Sequence, residues 1–289
     1  MTQHGIGKTI RLGQLIDAAS GRTVIVAVDH GLGGVPDGLA HLESALEKII
    51  AGQPDGIIAS IGVAKRFQHL FCGRGKPALI VTVDRRFGAT LPGHTSRGEA
   101  YRLAVTVEDA LLVGASAVKM VMIYGREDLS VHAENAQAVS EVVRQCDRWR
   151  VPLLLEPVLW GSLVTEADRH SITALKHICR MGFEAGADVL KAHYPGNVAA
   201  FREVVEACPV PVVILGGAKM DTERDVLTTA AGAIEAGSIG VAFGRNVFQH
   251  PDHHASLVAG PTGMIQALRR VVHNGASVES ALSEPRLRG

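Results

Sequence analysis

The chain has 289 residues, 47% of them hydrophobic and only 4% aromatic, with 29 Lys and Arg balanced by 29 Asp and Glu. Zero net charge without a basic run argues against electrostatic nucleic-acid binding, and polar residues break every apolar run well short of a membrane span. The chain is too apolar and too neutral for disorder, and four widely spaced cysteines (72, 146, 179, 208) with no CxxC read as reduced thiols in a cytoplasmic protein.

Residues 1–20 lack the apolar core of a signal peptide and read as an extra helix capping the bottom of the fold. Short runs rich in Val, Ile and Leu then recur: TVIVAVD (23–29), DGIIAS (55–60), ALIVTVD (78–84), SAVKMVMIY (116–124), VPLLLEP (151–157), ADVLKAHY (187–194), VPVVILGG (210–217) and SIGVAFG (238–244). Runs this short, apolar throughout and bounded by Gly, Pro or Asp, are the mark of parallel strands buried on both faces. Between them, stretches such as 39–52 and 172–186 carry apolar residues at helical spacing. Gly52, Gly114, Gly186 and Gly237 stand where left-handed helix caps are expected. The longest insertion, 84–103, is expected to form a loop over the mouth. A last helix is expected near 262–273, followed by a polar tail over 274–289.

Eight strands alternating with helices, with no linker, predict a single-domain (β/α)8 TIM barrel over residues 1–289. An open doubly wound sheet is the competing architecture, but no GxGxxG follows the first strand.

In such a barrel the chemistry sits at the C-terminal ends of the strands. Three charged residues interrupt apolar strands there: Lys119, Glu156 and Lys191, on the fourth, fifth and sixth strands. Lys and Glu are rarely buried unless paired. A structural salt bridge would account for Glu156 and one lysine and would leave the other lysine over. Two lysines beside one carboxylate suit class I aldol chemistry better than hydrolysis or hydride transfer. A lysine is protonated at neutral pH (free pKa about 10.4), and a neighbouring cation and an apolar wall both favour the free amine that attacks a carbonyl. The carboxylate then moves protons as the imine forms and the C–C bond breaks.

The loops after the last two strands, LGGAKMDTERD and FGRNVFQH, point to a phosphate site. Glycines let backbone N–H groups approach an oxyanion, barrels commonly use these two loops for phosphate, and Arg245 would add a charged contact.

These motifs together resemble the DeoC/LacD-type class I aldolases, especially archaeal-type fructose-1,6-bisphosphate aldolases. The resemblance runs over about residues 22–250 through VIVAVDHG, DGIIASIGVAKRF, GASAVKMVMIYG, GADVLKAHYPGN, PVVILGGAKM and GSIGVAFGRNVFQ. It implies that Lys191 forms the Schiff base, that Asp29 serves the substrate or the imine step, and that Gly216, Gly217, Gly244 and Arg245 hold a substrate phosphate. The archaeal-type enzymes place a Tyr on the fifth strand as acid/base, whereas this chain reads LLLEPVLWG there. Glu156 with Lys119 resembles the tagatose-1,6-bisphosphate aldolase pattern instead. Relatives on the scaffold also use the lysine for transaldol or thiolase-like acyl transfer, so a transferase acting on a phosphorylated ketone is the alternative to a lyase. The expected partner is a phosphorylated sugar, with no cofactor, no membrane and no nucleic acid, and the enzyme is expected to be a homo-oligomer.

Other polar residues carry weaker expectations. His193 shares the face of Lys191 by the period of a strand, which suits substrate contact. His30 should point away from Asp29. Asp84 would line the mouth, and Tyr124 would pack or donate a proton. Arg85, Arg86 and Arg126 are candidates for a second phosphate site. The HPDHH run at 250–254 reads as solvated histidines rather than a metal site, and no compact histidine set marks a zinc-dependent aldolase.

Overall fold

The computed structural model describes residues 5–87, 100–252 and 258–283. In chain order the elements are α1 (Ile6–Leu15), β1 (Thr23–Ala27), a 3-10 turn (Asp29–Gly33), α2 (Leu42–Ala51), β2 (Gly56–Ala59), α3 (Ile61–Arg66), α4 (Gln68–Phe71), β3 (Ala78–Thr82), β4 (Asp84–Phe87), β5 (Ala100–Leu103), α5 (Val107–Leu112) and β6 (Ala117–Tyr124). They continue through α6 (Leu129–Trp149), β7 (Leu153–Leu159), α7 (Glu166–His170), α8 (Ile172–Glu184), β8 (Val189–Ala192), α9 (Val198–Glu206), β9 (Val212–Leu215), α10 (Glu223–Glu235), β10 (Gly240–Phe243), α11 (Arg245–Phe248), α12 (Gly260–Asn274) and α13 (Val278–Ser283).

Eight of the strands close into a parallel barrel in the order β1, β10, β9, β8, β7, β6, β3, β2. These are the eight apolar runs of the sequence, and the fold is a (β/α)8 barrel. Their burial on both faces explains the near-absence of polar residues along them. Alternate residues divide into two cores. Val24 and Val26, Leu153 and Leu155, and Val212 and Ile214 point outward against the helices. Ile25, Ile58, Ile80, Leu154, Val189 and Val213 fill the lower interior, where Leu12, Leu15 and Ile16 of the α1 segment pack against them. The N-terminal helix therefore plugs the bottom, as expected. Lys8 fastens it by donating to Asp147 at 2.7 Å and to Asp188 at 2.9 and 3.0 Å.

Three expectations are revised. Gly114, Gly186 and Gly237 do adopt positive φ, but Gly52 is right-handed (φ −73°) and Gln53 takes the left-handed position at φ 60°. Gly52 is small because a Cβ there would lie 2.7 Å from Cβ of Ile265 on α12. The ends of the 84–103 insertion form an antiparallel hairpin, with Asp84 opposite Leu103, while residues 88–99 lie outside the described residues. The polar tail contains α13, which seats Ala281 and Leu282 in the core; residues 284–289 lie outside the described residues.

β6 outruns its neighbour β3, whose pairing stops at Thr82 opposite Lys119. The bare upper edge of β6 needs other partners, since a buried backbone group without one costs about 1–3 kcal/mol. Asp84 supplies one, accepting from the Val121 N–H at 2.9 Å. Buried Asn135 on α6 supplies two more, accepting from the Ile123 N–H at 2.9 Å and donating to the Val121 carbonyl at 3.0 Å. These contacts hold in place the strand that carries Lys119.

Candidate active site

Lys119, Glu156 and Lys191 all fall on inward-facing positions. Lys119 is in register with Leu154, and Leu155 with Leu190, so Glu156 and Lys191 share a level one layer above the Lys119 Cα. The long Lys119 side chain rises to that level. Glu156 Oε2 is 3.0 Å from Lys191 Nζ and 3.0 Å from Lys119 Nζ. The single salt bridge considered from the sequence is thus a carboxylate shared between two ammonium groups. Asp29 completes the cluster, with Oδ2 at 3.7 Å from Lys119 Nζ and accepting from the Thr82 hydroxyl at 2.7 Å. Side-chain exposures of 8% for Lys119, 9% for Lys191, 13% for Asp29 and 14% for Glu156 put these charges in a poorly screened environment.

The electrostatics follow from that packing. Burial pushes the Glu156 carboxyl up, but Lys119 and Lys191 outweigh it and hold the group down at about 2. Burial opposes ionisation of Asp29 as well, yet Lys119, Lys191 and the Thr82 hydroxyl keep it below the usual carboxylate range. Lys119 is held well above its ordinary value, because Glu156, Asp29 and Asp84 outweigh its desolvation. Lys119 is therefore a fixed cation. Asp84 is the exception among the carboxylates: burial raises it to about 6, with Asp29 and Glu156 adding to the rise and Lys119 and the Val121 N–H opposing it.

Above the cluster opens a cavity of about 550 Å³, within the usual range for small-molecule sites. Glu156 and Lys191 form part of its lining, with His193, Gly216, Gly217, Gly244 and Arg245 around them. Seven of the nine site residues singled out in the sequence thus line one cavity, and Lys119 and Asp29 join them through Glu156. Gly217 takes the left-handed conformation at φ 63°. Gly216 and Gly244 also answer to packing: a Cβ on Gly216 would lie 3.1 Å from Asn246 Nδ2, and one on Gly244 would overlap the His30 ring. His30 lines the cavity, with Nδ1 at 3.8 Å from Asp29 Oδ1, rather than pointing away from it. The strand ends at Ala27 and a 3-10 turn begins at Asp29, so the alternation that separated the two residues no longer applies.

Four contributors were not read from the sequence. Thr82 orients Asp29. Asn246 pins the loop after β9, donating to the Gly216 and Ala218 carbonyls at 2.8 and 3.2 Å and accepting from the Met220 N–H at 2.7 Å. Trp160 and Arg169, in the connection after β7, line the cavity. Thr82 and Asn246 lie inside the expected segments, but only closure of the barrel shows what they touch. Asp84 sits beyond β3 at the start of the hairpin and turns its carboxylate to β6. Tyr124 is the last residue of β6, and Arg85 and Arg126 are not among the residues lining the cavity. His253 and His254 lie outside the described residues, and no group of three metal-binding side chains occurs among those described.

The family model for DeoC/LacD family aldolases matches residues 23–250. The chain is 33% identical over 279 residues to the 2-amino-3,7-dideoxy-D-threo-hept-6-ulosonate synthase of Halobacterium salinarum, covering 96% of each protein. It is 31% identical over 271 residues to the 2-amino-4,5-dihydroxy-6-oxo-7-(phosphonooxy)heptanoate synthase of Streptomyces griseus, covering 93% of this chain and 92% of that one. Among solved structures it superposes on an archaeal fructose 1,6-bisphosphate aldolase with a TM-score of 0.77 at 25% identity, over 93% of this chain and 100% of that one. A structure from work on reaction intermediates of the Schiff-base-forming fructose-1,6-bisphosphate aldolase gives 0.76 at 25% identity, over 92% and 99% of the two chains. The chain belongs to the DeoC/LacD aldolase family, and is an enzyme of its class I, Schiff-base-forming branch.

Proposed function

We propose that the protein makes and breaks a carbon–carbon bond of a phosphorylated ketose, with Lys191 as the Schiff-base lysine. The observation that carries this reading is the single carboxylate oxygen of Glu156 lying 3.0 Å from each of two lysine amines at the floor of a ligand-sized cavity. The free amine of Lys191 adds to the substrate C2 carbonyl, and the carbinolamine loses water to give an iminium. Glu156 then takes the proton of the C4 hydroxyl as C3–C4 breaks, the electron pair moves into the iminium, and an enamine remains. The resting basicity of Glu156 is low, but this step turns the Lys191 nitrogen from cationic to neutral. Glu156 loses one of its two counter-charges at the moment it must hold a proton, which raises its basicity when it is needed. Lys119 stays charged throughout and orients Glu156 and Asp29. The Gly216–Gly217 and Gly244–Arg245 wall holds the phosphate through backbone N–H groups and a guanidinium.

A transferase reading has its own support, because two of the relatives are named as synthases rather than lyases. In that case the same enamine is passed to a second carbonyl compound. A cytoplasmic homo-oligomer with four free thiols belongs to either reading. Reduction with sodium borohydride in the presence of dihydroxyacetone phosphate should add the donor mass less one oxygen, since water is lost when the imine forms and two hydrogens are gained on reduction, to the wild type and not to Lys191→Ala. No adduct on the wild type with that donor or with a panel of ketose phosphates would refute the Schiff-base assignment. Product analysis separates cleavage from transfer.

A further inference from the structure

Resting on Lys191 as the Schiff-base lysine, we propose that Arg169 binds an anionic group at the far end of the aldehyde half of the substrate and so selects the acceptor. In the barrel order, β8 lies between β9 and β7. Lys191 leaves β8. Arg245 follows β10, two strands away on one side, and Arg169 lies on α7, which follows the neighbour on the other side. Lys191, Arg245 and Arg169 line the same cavity, and the segments that carry the two arginines follow strands on opposite sides of the strand of Lys191.

Glu156 decides which arm of the substrate meets which arginine. It takes the C4 hydroxyl proton from β7, so the half of the ketose that leaves as an aldehyde extends to the β7 side. That is the side of Arg169. The donor half, with its phosphate, extends to the Gly216–Gly217 and Gly244–Arg245 wall. The same cavity is lined by Val158, Leu159, Leu175 and Ile178, which can cover carbon but cannot neutralise an anion, and by Glu166 beside Arg169.

The helix that carries Arg169 is capped, and the guanidinium is loosely paired. A capping box fixes α7, with the Thr165 hydroxyl accepting from the Asp168 N–H at 3.2 Å and the Asp168 carboxylate accepting from the Thr165 N–H at 2.8 Å. The Gly161 Cα approaches β6 so closely that a Cβ would overlap the Gly125 carbonyl. Against this fixed base, the guanidinium has Glu166 at 3.6 Å, with side chains 44% and 80% exposed. An exposed pair of that length contributes little, so an incoming anion displaces it at small cost. Phosphate and carboxylate are both suitable anions.

The test is condensation of dihydroxyacetone phosphate with D-glyceraldehyde 3-phosphate, succinic semialdehyde and uncharged D-glyceraldehyde, by wild type, Arg169→Gln and Arg169→Lys. In Arg169→Gln the kcat/KM ratio of one anionic aldehyde to the neutral one should fall roughly tenfold or more, with partial recovery in Arg169→Lys. The aldehyde that loses its advantage identifies the anion as phosphate or carboxylate. Ratios that do not move for either anionic aldehyde overturn the assignment, as does a wild type with no preference for an anionic acceptor. Borohydride trapping of the donor on the same samples separates the two levels of the argument. Adducts on all three proteins with unmoved ratios refute Arg169 alone, whereas no adduct on the wild type refutes the Schiff-base reading and Arg169 with it.

Discussion

Asp84 makes the stability of the barrel depend on pH in a direction opposite to that of most buried carboxylates. Its group is raised from 3.8 to about 6, chiefly by burial. The folded state therefore binds this proton more tightly than the unfolded chain does. The penalty for ionising Asp84 is absent below the unfolded value, grows as pH rises from 3.8 towards 6, and is fully present above that. The gap corresponds to about 3 kcal/mol. Asp84→Asn removes the ionisation while the amide oxygen can still accept from the Val121 N–H, so the hairpin stays attached to β6. The variant should therefore be more stable than wild type by about 3 kcal/mol at pH 8, with the difference closing towards pH 4. Urea denaturation followed by circular dichroism at pH 4, 5, 6, 7 and 8 measures this directly. A stability difference that is flat across the series would refute the reasoning and would leave Asp84 as a simple hydrogen-bond acceptor.

Two further outcomes follow from the same geometry. Glu156→Gln should lower kcat by about 10²–10⁴-fold, since it removes the proton acceptor for the C4 hydroxyl. Because Glu156 is held down at about 2 from an ordinary 4.5, its ionised form contributes about 3 kcal/mol of stability above pH 4.5 that disappears as pH falls through 2. The acid limb of the wild-type stability curve should accordingly flatten in the variant, and identical acid limbs would count against the shared carboxylate. Asn135→Ala leaves the Ile123 N–H and the Val121 carbonyl without their side-chain partner and should cost about 2–4 kcal/mol in chemical denaturation. A neutral Asn135→Ala would show that the upper edge of β6 does not need the amide.

The eight strands, their burial on both faces, and the three charges set into apolar runs are all legible along the chain. Each of these is a local property. A continuous apolar run bounded by Gly, Pro or Asp has few alternatives to a strand buried on both faces, and a Lys or Glu inside one must be paired or used. Inward-facing residues recur with period two, so Lys191 and His193, or Leu154 and Glu156, could be assigned to one face without coordinates.

Which groups meet at the mouth depends on strand register and barrel closure. Glu156 is shared between two lysines because register sets β7 and β8 level and places Lys119 one layer lower. His30 entered the cavity because a 3-10 turn broke the strand alternation at Asp29. Asn246 reached the loop after β9 through the β9–β10 pairing, and Thr82 on β3 reached Asp29 over the intervening β2. Arg169 sits on a five-residue helix in a connecting loop, where nothing periodic fixes a side chain's direction. Closure of the barrel brings Thr23 opposite Gly240, and the pattern within either segment carries no trace of that distant contact.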